Sequence, residues 1–312
     1  MRAAFINALI EMARTNERIY LLVGDVGYSL VEPFAREFPD RFINAGIAEQ
    51  NMIGSATGLA LCGKVVFVYS LANFPTLRCL EQIRNDVCYH KANVKIIAAG
   101  GGLNYGALGM THHTTEDLAV MRALPNMAVI APADPIETAL AIRAVTKHSG
   151  PDYLRLGRTG DPVVHQVAPK FKLGKAIVMR EGNDITLIAT GGILYNVIKA
   201  AEQLSQRHIY ARVLSMHTVK PLDVEAVLSA KDTGHIMTIE EHSIIGGLGS
   251  AVAEVLAESN SEPITFKRIG ISDSYSSGAG SQEYLRGLYS LSVDGIVKVA
   301  ESMKSVTSRK RS

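Results

Sequence analysis

The sequence predicts an α/β protein of two domains, each a mainly parallel sheet flanked by helices. Three observations point there. Short apolar runs recur without polar alternation, segments with apolar residues at helical spacing separate them, and a stretch bearing Gly160, Pro162 and Pro169 interrupts the rhythm once. Strands that are apolar throughout and alternate with helices imply a parallel sheet covered on both faces. With 312 residues, 47% of them hydrophobic and 20% charged, the chain is long enough to bury two cores.

Phe5, Ala8, Leu9 and Met12 mark a first helix, and "IYLLVGD" reads as a buried strand ending in turn residues. "RFINA" is a second strand, and a helix with Met52, Ala56 and Leu59 on one face leads to a third, "VVFVYS". Helix 75–89, strand "VKIIAA", helix 115–123, strand "AVIAPA", helix 135–147 and strand "DYLRLG" complete the first half. The break from about 159 to 173 is the candidate linker, which bounds domains at 1–160 and 174–312 with 161–173 between them. The second half offers strands "DITLIAT", "ARVLSM", "HIMTIEE" and "ITFKRIG", with helices near 194–207, 223–229, 248–258, 281–289 and 292–303.

The net charge of +2 is far from the basic balance of a nucleic-acid binder, apart from a tail with Arg309, Lys310 and Arg311 that reads as a frayed, solvated end. Cys62, Cys79 and Cys88 show no CxxC or zinc-ligand spacing and are odd in number, so they read as structural thiols of a reducing compartment. No signal peptide and no uncharged membrane-length window is visible, which predicts a cytoplasmic protein with no membrane contact.

Ligands of open α/β sheets bind outside the carboxyl ends of the strands. Four polar clusters fall there: "GDVGYS" at 24–29, "AGIAEQN" at 45–51, "GGGLNYGALGMTHH" at 100–113 and "RLGR" at 155–158. Glu49 opens a helix, where a carboxylate is either a charge favoured by the helix dipole or a buried acid that holds one proton against a ligand nitrogen. The long loop 100–113 has glycines that admit a ligand close to the backbone, and it ends in His112 and His113, a solvated pair or a functional one. Arg155 and Arg158 can grip a phosphate bidentately or form ordinary ion pairs. "GGLGSA" at 246–251 is better explained as a tight strand-to-helix turn than as a dinucleotide site. No GxSxG, HExxH or GxxxxGK[ST] motif is present.

Taken together and in this order, the clusters resemble the C-terminal two-thirds of the transketolase family, a pyrimidine-binding domain followed by the transketolase C-terminal domain. "GIAEQNMIGSATGLA", "THHTTEDLAVMRALPNMAVIAPAD" and "TIEEHSIIGGLGSAVAEVL" carry most of the likeness, which also extends to 1-deoxyxylulose-5-phosphate synthase. The resemblance implies thiamine diphosphate as cofactor. Glu49 would hydrogen-bond its aminopyrimidine ring and promote the tautomer that deprotonates the thiazolium carbon, Phe74 would pack against that ring, and Asp25 would lie beside the cofactor. It further implies that Ser29, Arg158 and Arg2 hold a sugar phosphate and that His112 stands near the reacting hydroxyl and carbonyl groups. Two positions depart from the family pattern, with Gly100 in place of a phosphate-binding histidine and Leu108 in place of a hydroxyl-binding aspartate.

The family's diphosphate-binding domain, whose GDG motif and asparagine hold Mg2+, has no counterpart in the sequence. By resemblance the chain is therefore the beta-type subunit of a split transketolase, expected in an α2β2 assembly with an alpha-type subunit that holds the metal, and this chain itself would supply no metal ligand. A 2-oxoacid decarboxylating enzyme, either a dehydrogenase beta subunit or a deoxyxylulose-phosphate-synthase-like protein, and a non-catalytic regulatory subunit remain the alternatives.

Overall fold

The computed structural model describes residues 1–158, 160–259 and 264–309. Helix α1 (Arg2–Thr15) leads into β1 (Ile19–Val23), helix α2 (Glu32–Glu37) into β2 (Phe42–Asn44), and α3 (Glu49–Leu61) into β3 (Val65–Leu71). Where the spacing predicts one helix over 75–89, the chain forms α4 (Asn73–Thr76), α5 (Leu80–Gln82) and a π-helical turn (Ile83–Cys88). Cys79, at φ −106° and ψ 15°, leaves the helical region and causes the break. The break turns Arg78 back to α3, where its carbonyl accepts from Gln50 Nε2 at 3.2 Å. The first half continues through β4 (Val94–Ala99), α6 (Asp117–Ala123), β5 (Ala128–Ile130), α7 (Pro135–Lys147) and β6 (Asp152–Leu156). Asp134 starts α7 by accepting the Glu137 amide at 2.7 Å, with Pro135 at the first helical position.

The second half holds β7 (Ile177–Arg180), β8 (Ile185–Thr190), α8 (Leu194–Gln206), β9 (Ala211–Ser215), β10 (Thr218–Lys220), α9 (Val224–Ser229), β11 (His235–Ser243), α10 (Leu248–Glu258), β12 (Thr265–Ile271), α11 (Gln282–Leu288) and α12 (Val293–Arg309). Two sheets result, one in the order β10-β5-β6-β4-β3-β1-β2 and one in the order β12-β11-β8-β9-β7. Among the described strands, only the edge pairings β10–β5 and β7–β9 are antiparallel. These two edge strands are the ones the sequence reading lacks. β7 is only partly buried, and β10, at three residues, is too short to show a period. β10 also joins the first sheet from the second half of the chain, so the two halves share a strand pairing.

Strand β3 shows how both faces of the first sheet are filled. Val65, Phe67 and Tyr69 enter the cluster formed with α1 and α7, while Val66 and Val68 enter the one formed with Met52, Ile53 and Ala56 of α3. Phe5 of α1 stacks on Tyr69 with ring centroids 5.6 Å apart. Each fully buried side chain of this size contributes about 1.5–3 kcal/mol. Because β1, β3, β4 and β6 run parallel, their carboxyl ends share one edge, and α1 and α3, running opposite, begin at that edge.

Cys79 and Cys88 are buried and Cys62 is exposed, all unpaired, and burial pushes the Cys79 thiol up to about 12. Among the described residues, no helix is long and apolar enough to cross a membrane. Arg309 ends α12, and Lys310 and Arg311 of the basic tail lie outside the described residues.

Candidate active site

The turn after β1 places Asp25, Gly27 and Ser29 at φ of 55°, 93° and 61°. Left-handed conformations at two non-glycine residues cost on the order of 1–3 kcal/mol each and cluster at functional loops. Asp25 Oδ1 accepts from Asn44 Nδ2 at 3.0 Å and from the Tyr28 hydroxyl at 3.1 Å, while Asn44 Oδ1 accepts the amides of Asp25 at 3.1 Å and Gly46 at 3.0 Å. Asp25 Oδ1 thus fastens the β1 turn onto the end of β2. That fixes the entry to α3.

Glu49 is the first residue of α3 and is 2% exposed. Its Oε2 accepts from Arg78 Nη1 at 2.7 Å, and among the described residues its Oε1 accepts no hydrogen bond. Nearby, Ser70 Oγ and Asn73 Oδ1 are buried without partners, which native interiors rarely tolerate. The Arg78 guanidinium also lies over the Phe74 ring, 4.9 Å from its centroid. Phe74 in turn meets the His112 imidazole edge-on, with centroids 5.9 Å apart.

Asn73 pins the loop 100–113 to α4 by donating from Nδ2 to the carbonyls of Thr111 at 2.9 Å and His113 at 2.8 Å. The two histidines therefore divide their roles. His113 is buried, with Nε2 paired to the Gly106 carbonyl at 3.2 Å, whereas His112 is half-buried against Phe74, its Nδ1 3.1 Å from Thr111 Oγ1. Phe74, Arg78, Thr111 and His113 line a cleft of about 470 Å³.

The three candidate phosphate ligands face two further clefts. Arg2, Tyr28 and Ser29 line one of about 570 Å³, and Arg158, Asn104 and Arg286 line one of about 250 Å³, with Gly160 and Asp161 belonging to both. Arg158 is exposed, and its amide donates to Asn104 Oδ1 at 3.1 Å. Arg155 differs sharply, being 6% exposed. Its Nε lies 3.0 Å from Asp117 Oδ2, and its Nη2 donates to the carbonyls of Thr114 at 2.6 Å and Glu241 at 2.9 Å. It ties the two halves together and leaves Arg158 as the arginine of "RLGR" that can reach a ligand.

The second half also reaches into the loop. Glu241, at the end of β11, accepts the Leu103 amide at 2.6 Å, Gln282 Nε2 at 2.9 Å and Arg286 Nε at 2.5 Å. The "GGLGSA" segment is the predicted turn into α10, whose first amides are already taken by Glu240, from Leu248 at 2.7 Å and Gly249 at 2.8 Å. Gly100 sits at φ 78° beneath the Tyr105 ring, and the Leu108 side chain is exposed. Among the described residues, no three His, Cys, Asp or Glu side chains gather as a metal site requires.

Residues 1–160 match the model of the transketolase pyrimidine binding domain, and residues 174–296 match that of the transketolase C-terminal domain. The chain belongs to the transketolase family. A "Putative transketolase C-terminal section" from Methanocaldococcus jannaschii is 42% identical, with 97% of this chain covering 96% of that one. One subunit of the apulose-4-phosphate transketolase of Phocaeicola vulgatus is 40% identical, with 96% of each chain covered. Among solved structures, "Split gene transketolase, inactive beta4 tetramer" superposes with a TM-score of 0.90 at 40% identity, over 97% of this chain and 98% of that one. Membership of the transketolase family implies dependence on thiamine diphosphate.

Sequence reasoning missed Arg78 and Glu241. Arg78 follows Phe74 by four residues, the spacing that stacks neighbours on a helix face, so it was open to detection. Glu241 acts through tertiary contacts that no local pattern carries.

Proposed function

We propose that this chain is the beta-type, pyrimidine-domain subunit of a split, thiamine-diphosphate-dependent transketolase. It works in the cytoplasm in an α2β2 assembly whose alpha-type partner holds Mg2+ and the diphosphate, and the assembly moves a two-carbon ketol unit from a ketose phosphate to an aldose acceptor. Residues 1–160 form the pyrimidine-binding domain, 161–173 the connector and 174–312 the C-terminal domain. The observation that carries the reading is Glu49, a nearly fully buried carboxylate with one oxygen open, set beside Phe74 at the strand-end edge of the sheet. Its relative solved as an inactive beta4 tetramer supports the need for a partner chain.

The side chains present fit an aminopyrimidine. A carboxylate can pair with a ring nitrogen, Phe74 offers an apolar face, and the unpartnered Ser70 Oγ and Asn73 Oδ1 offer further polar contacts. Thiamine diphosphate, when bound, supplies the carbanion nucleophile that protein side chains lack. Glu49 holds and returns one proton at its open carboxylate oxygen. Asp25 acts beside the cofactor by fixing the turn that leads to α3. His112 stands where it can exchange a proton with the hydroxyl or carbonyl of the substrate, and Ser29, Arg158 and Arg2 grip its phosphate.

The test is reconstitution. Mixed with its alpha-type partner, thiamine diphosphate and Mg2+, the chain should transfer ketol units from a ketose-phosphate panel, and alone it should not. Activity without a partner, or release of carbon dioxide from pyruvate in place of ketol transfer, overturns the proposal.

A further inference from the structure

One side chain of the loop 100–113 has no part in the roles assigned above. The Tyr105 ring lies directly on Gly100, where an added Cβ would fall inside the ring. Its edge meets His112, with centroids 6.5 Å apart at 72°, and His112 meets Phe74 at 5.9 Å and 72°. Phe74, His112 and Tyr105 therefore form a row. The Phe74 end abuts Arg78 and Glu49, and the Tyr105 end lies in the field of Arg2 and Arg158.

Three features of the Tyr105 end suit an anion. Among the described residues, neither Arg2 nor Arg158 forms an ion pair with a carboxylate, and the Arg158 guanidinium makes only a long contact, from Nη1 to the Asn104 carbonyl at 3.4 Å. Arg2 Nε is buried without a hydrogen-bond partner. The half-buried Tyr105 hydroxyl donates to no protein acceptor among the described residues, and burial, only partly offset by the two arginines, raises it so that it keeps its proton. A neutral phenol cannot donate to a guanidinium. Its proton is free for whatever negative group the guanidiniums attract.

We propose that Tyr105 is a specificity-determining residue of the substrate site, its hydroxyl donating to the terminal phosphate of a sugar held by Arg2 and Arg158. Gly100 is required because any side chain there displaces the ring. This rests on the reading of the chain as a subunit that handles ketose phosphates.

Tyr105→Phe removes one oxygen and preserves the ring that packs on Gly100. In the assembled complex, the ratio of kcat/KM for a ketose phosphate over its unphosphorylated analogue should fall about tenfold, the size of one hydrogen bond to a charged group. The loss should appear in KM, with kcat for the phosphorylated substrate retained. Binding of inorganic phosphate to the isolated chain, followed by phosphorus NMR line broadening, should weaken in Tyr105→Phe and in Arg158→Ala. Gly100→Ala, checked for folding by circular dichroism, should reproduce the Tyr105→Phe loss. An unchanged ratio and unchanged phosphate binding in Tyr105→Phe, beside a clear loss in Arg158→Ala, overturns the role of Tyr105 and leaves the phosphate site standing. A wild-type complex with no preference for phosphorylated substrates overturns the underlying reading, and this proposal with it.

Discussion

The guanidinium of Arg78 donates to the Glu49 carboxylate at 2.7 Å and lies over the Phe74 ring, 4.9 Å from its centroid. One cation thus spans the acid and the aromatic face assigned to the cofactor. On the proposed reading, turnover depends on Glu49. Glu49→Gln keeps the shape and loses the exchangeable proton, so ketol transfer by the assembled complex should fall by about 10²–10⁴, the usual contribution of a general acid–base group. Co-elution with the partner should be unchanged. A variant that assembles and turns over at the wild-type rate would leave the chain as a regulatory subunit.

The same contact predicts an opposite effect at Arg78. A ring nitrogen that pairs with Glu49 competes with Arg78, whose side chain is about half exposed, so the ion pair is worth at most about 1 kcal/mol. Arg78→Ala should therefore lower the thiamine diphosphate concentration for half-saturation by no more than about fivefold. A marked rise in that concentration would show instead that Arg78 is part of the cofactor contact.

Arg155 and Asp117 predict a stability effect without a role in chemistry. Both are buried, Tyr153 donates to Asp117 Oδ2 at 2.5 Å, and Arg155 reaches the carbonyls of Thr114 and Glu241 across the two halves. Arg155→Met takes the cation away from buried Asp117, which should cost about 3–5 kcal/mol in denaturant unfolding. Asp117→Asn, which keeps an oxygen for Tyr153, should cost less. Equal and small losses would mean that water reaches the pair.

Much of this arrangement was legible in the sequence because it rests on local rules. The parallel sheets follow from apolar runs such as "VVFVYS", and the location of the site follows from polar residues at strand ends. The break at Cys79 and the strand at 218–220 were not legible. The first replaces a helix whose spacing is otherwise sound, and the second depends on pairing with β5, some ninety residues earlier in the chain. Asp25 shows the same limit within the site. The family resemblance sets it beside the cofactor, but that its Oδ1 is held by Asn44 and Tyr28 follows from tertiary contacts.

Glu241 predicts a positioning effect from the second half of the chain. It holds the Leu103 amide at 2.6 Å and is itself held by Gln282 and Arg286, so α11 braces the loop that carries Tyr105 and His112. Glu241→Gln should weaken the brace, speed amide exchange across 100–113 relative to β3 and β4, and raise KM more than it lowers kcat. Uniform exchange changes throughout the chain would indicate general destabilisation.

A buried cluster between the halves sets a pH dependence. Glu137 Oε1 accepts from Ser215 Oγ at 2.7 Å and lies 2.9 Å from His165 Nε2. Burial alone would raise the Glu137 carboxyl, but the hydrogen bond from His165, the nearby His217 and the donors Ala133 and Ser215 together hold it below 4.5. Burial likewise opposes the charged form of His165, but the hydrogen bond and charge of Glu137, with Asp134, hold it above 6.5. A raised histidine stabilises the fold fully below 6.5 and loses that contribution as the pH rises through its folded value. A lowered carboxylate contributes above 4.5 and loses its share as the pH falls through its folded value. The pair is therefore strongest between 4.5 and 6.5. His217, which burial lowers, works against it on the acid side by resisting protonation. His165→Asn isolates the histidine's share: the unfolding free energy it removes should be larger at pH 5.5 than at pH 8. A loss that does not change with pH would mean that His165 stays neutral and serves only as a packed hydrogen-bond donor.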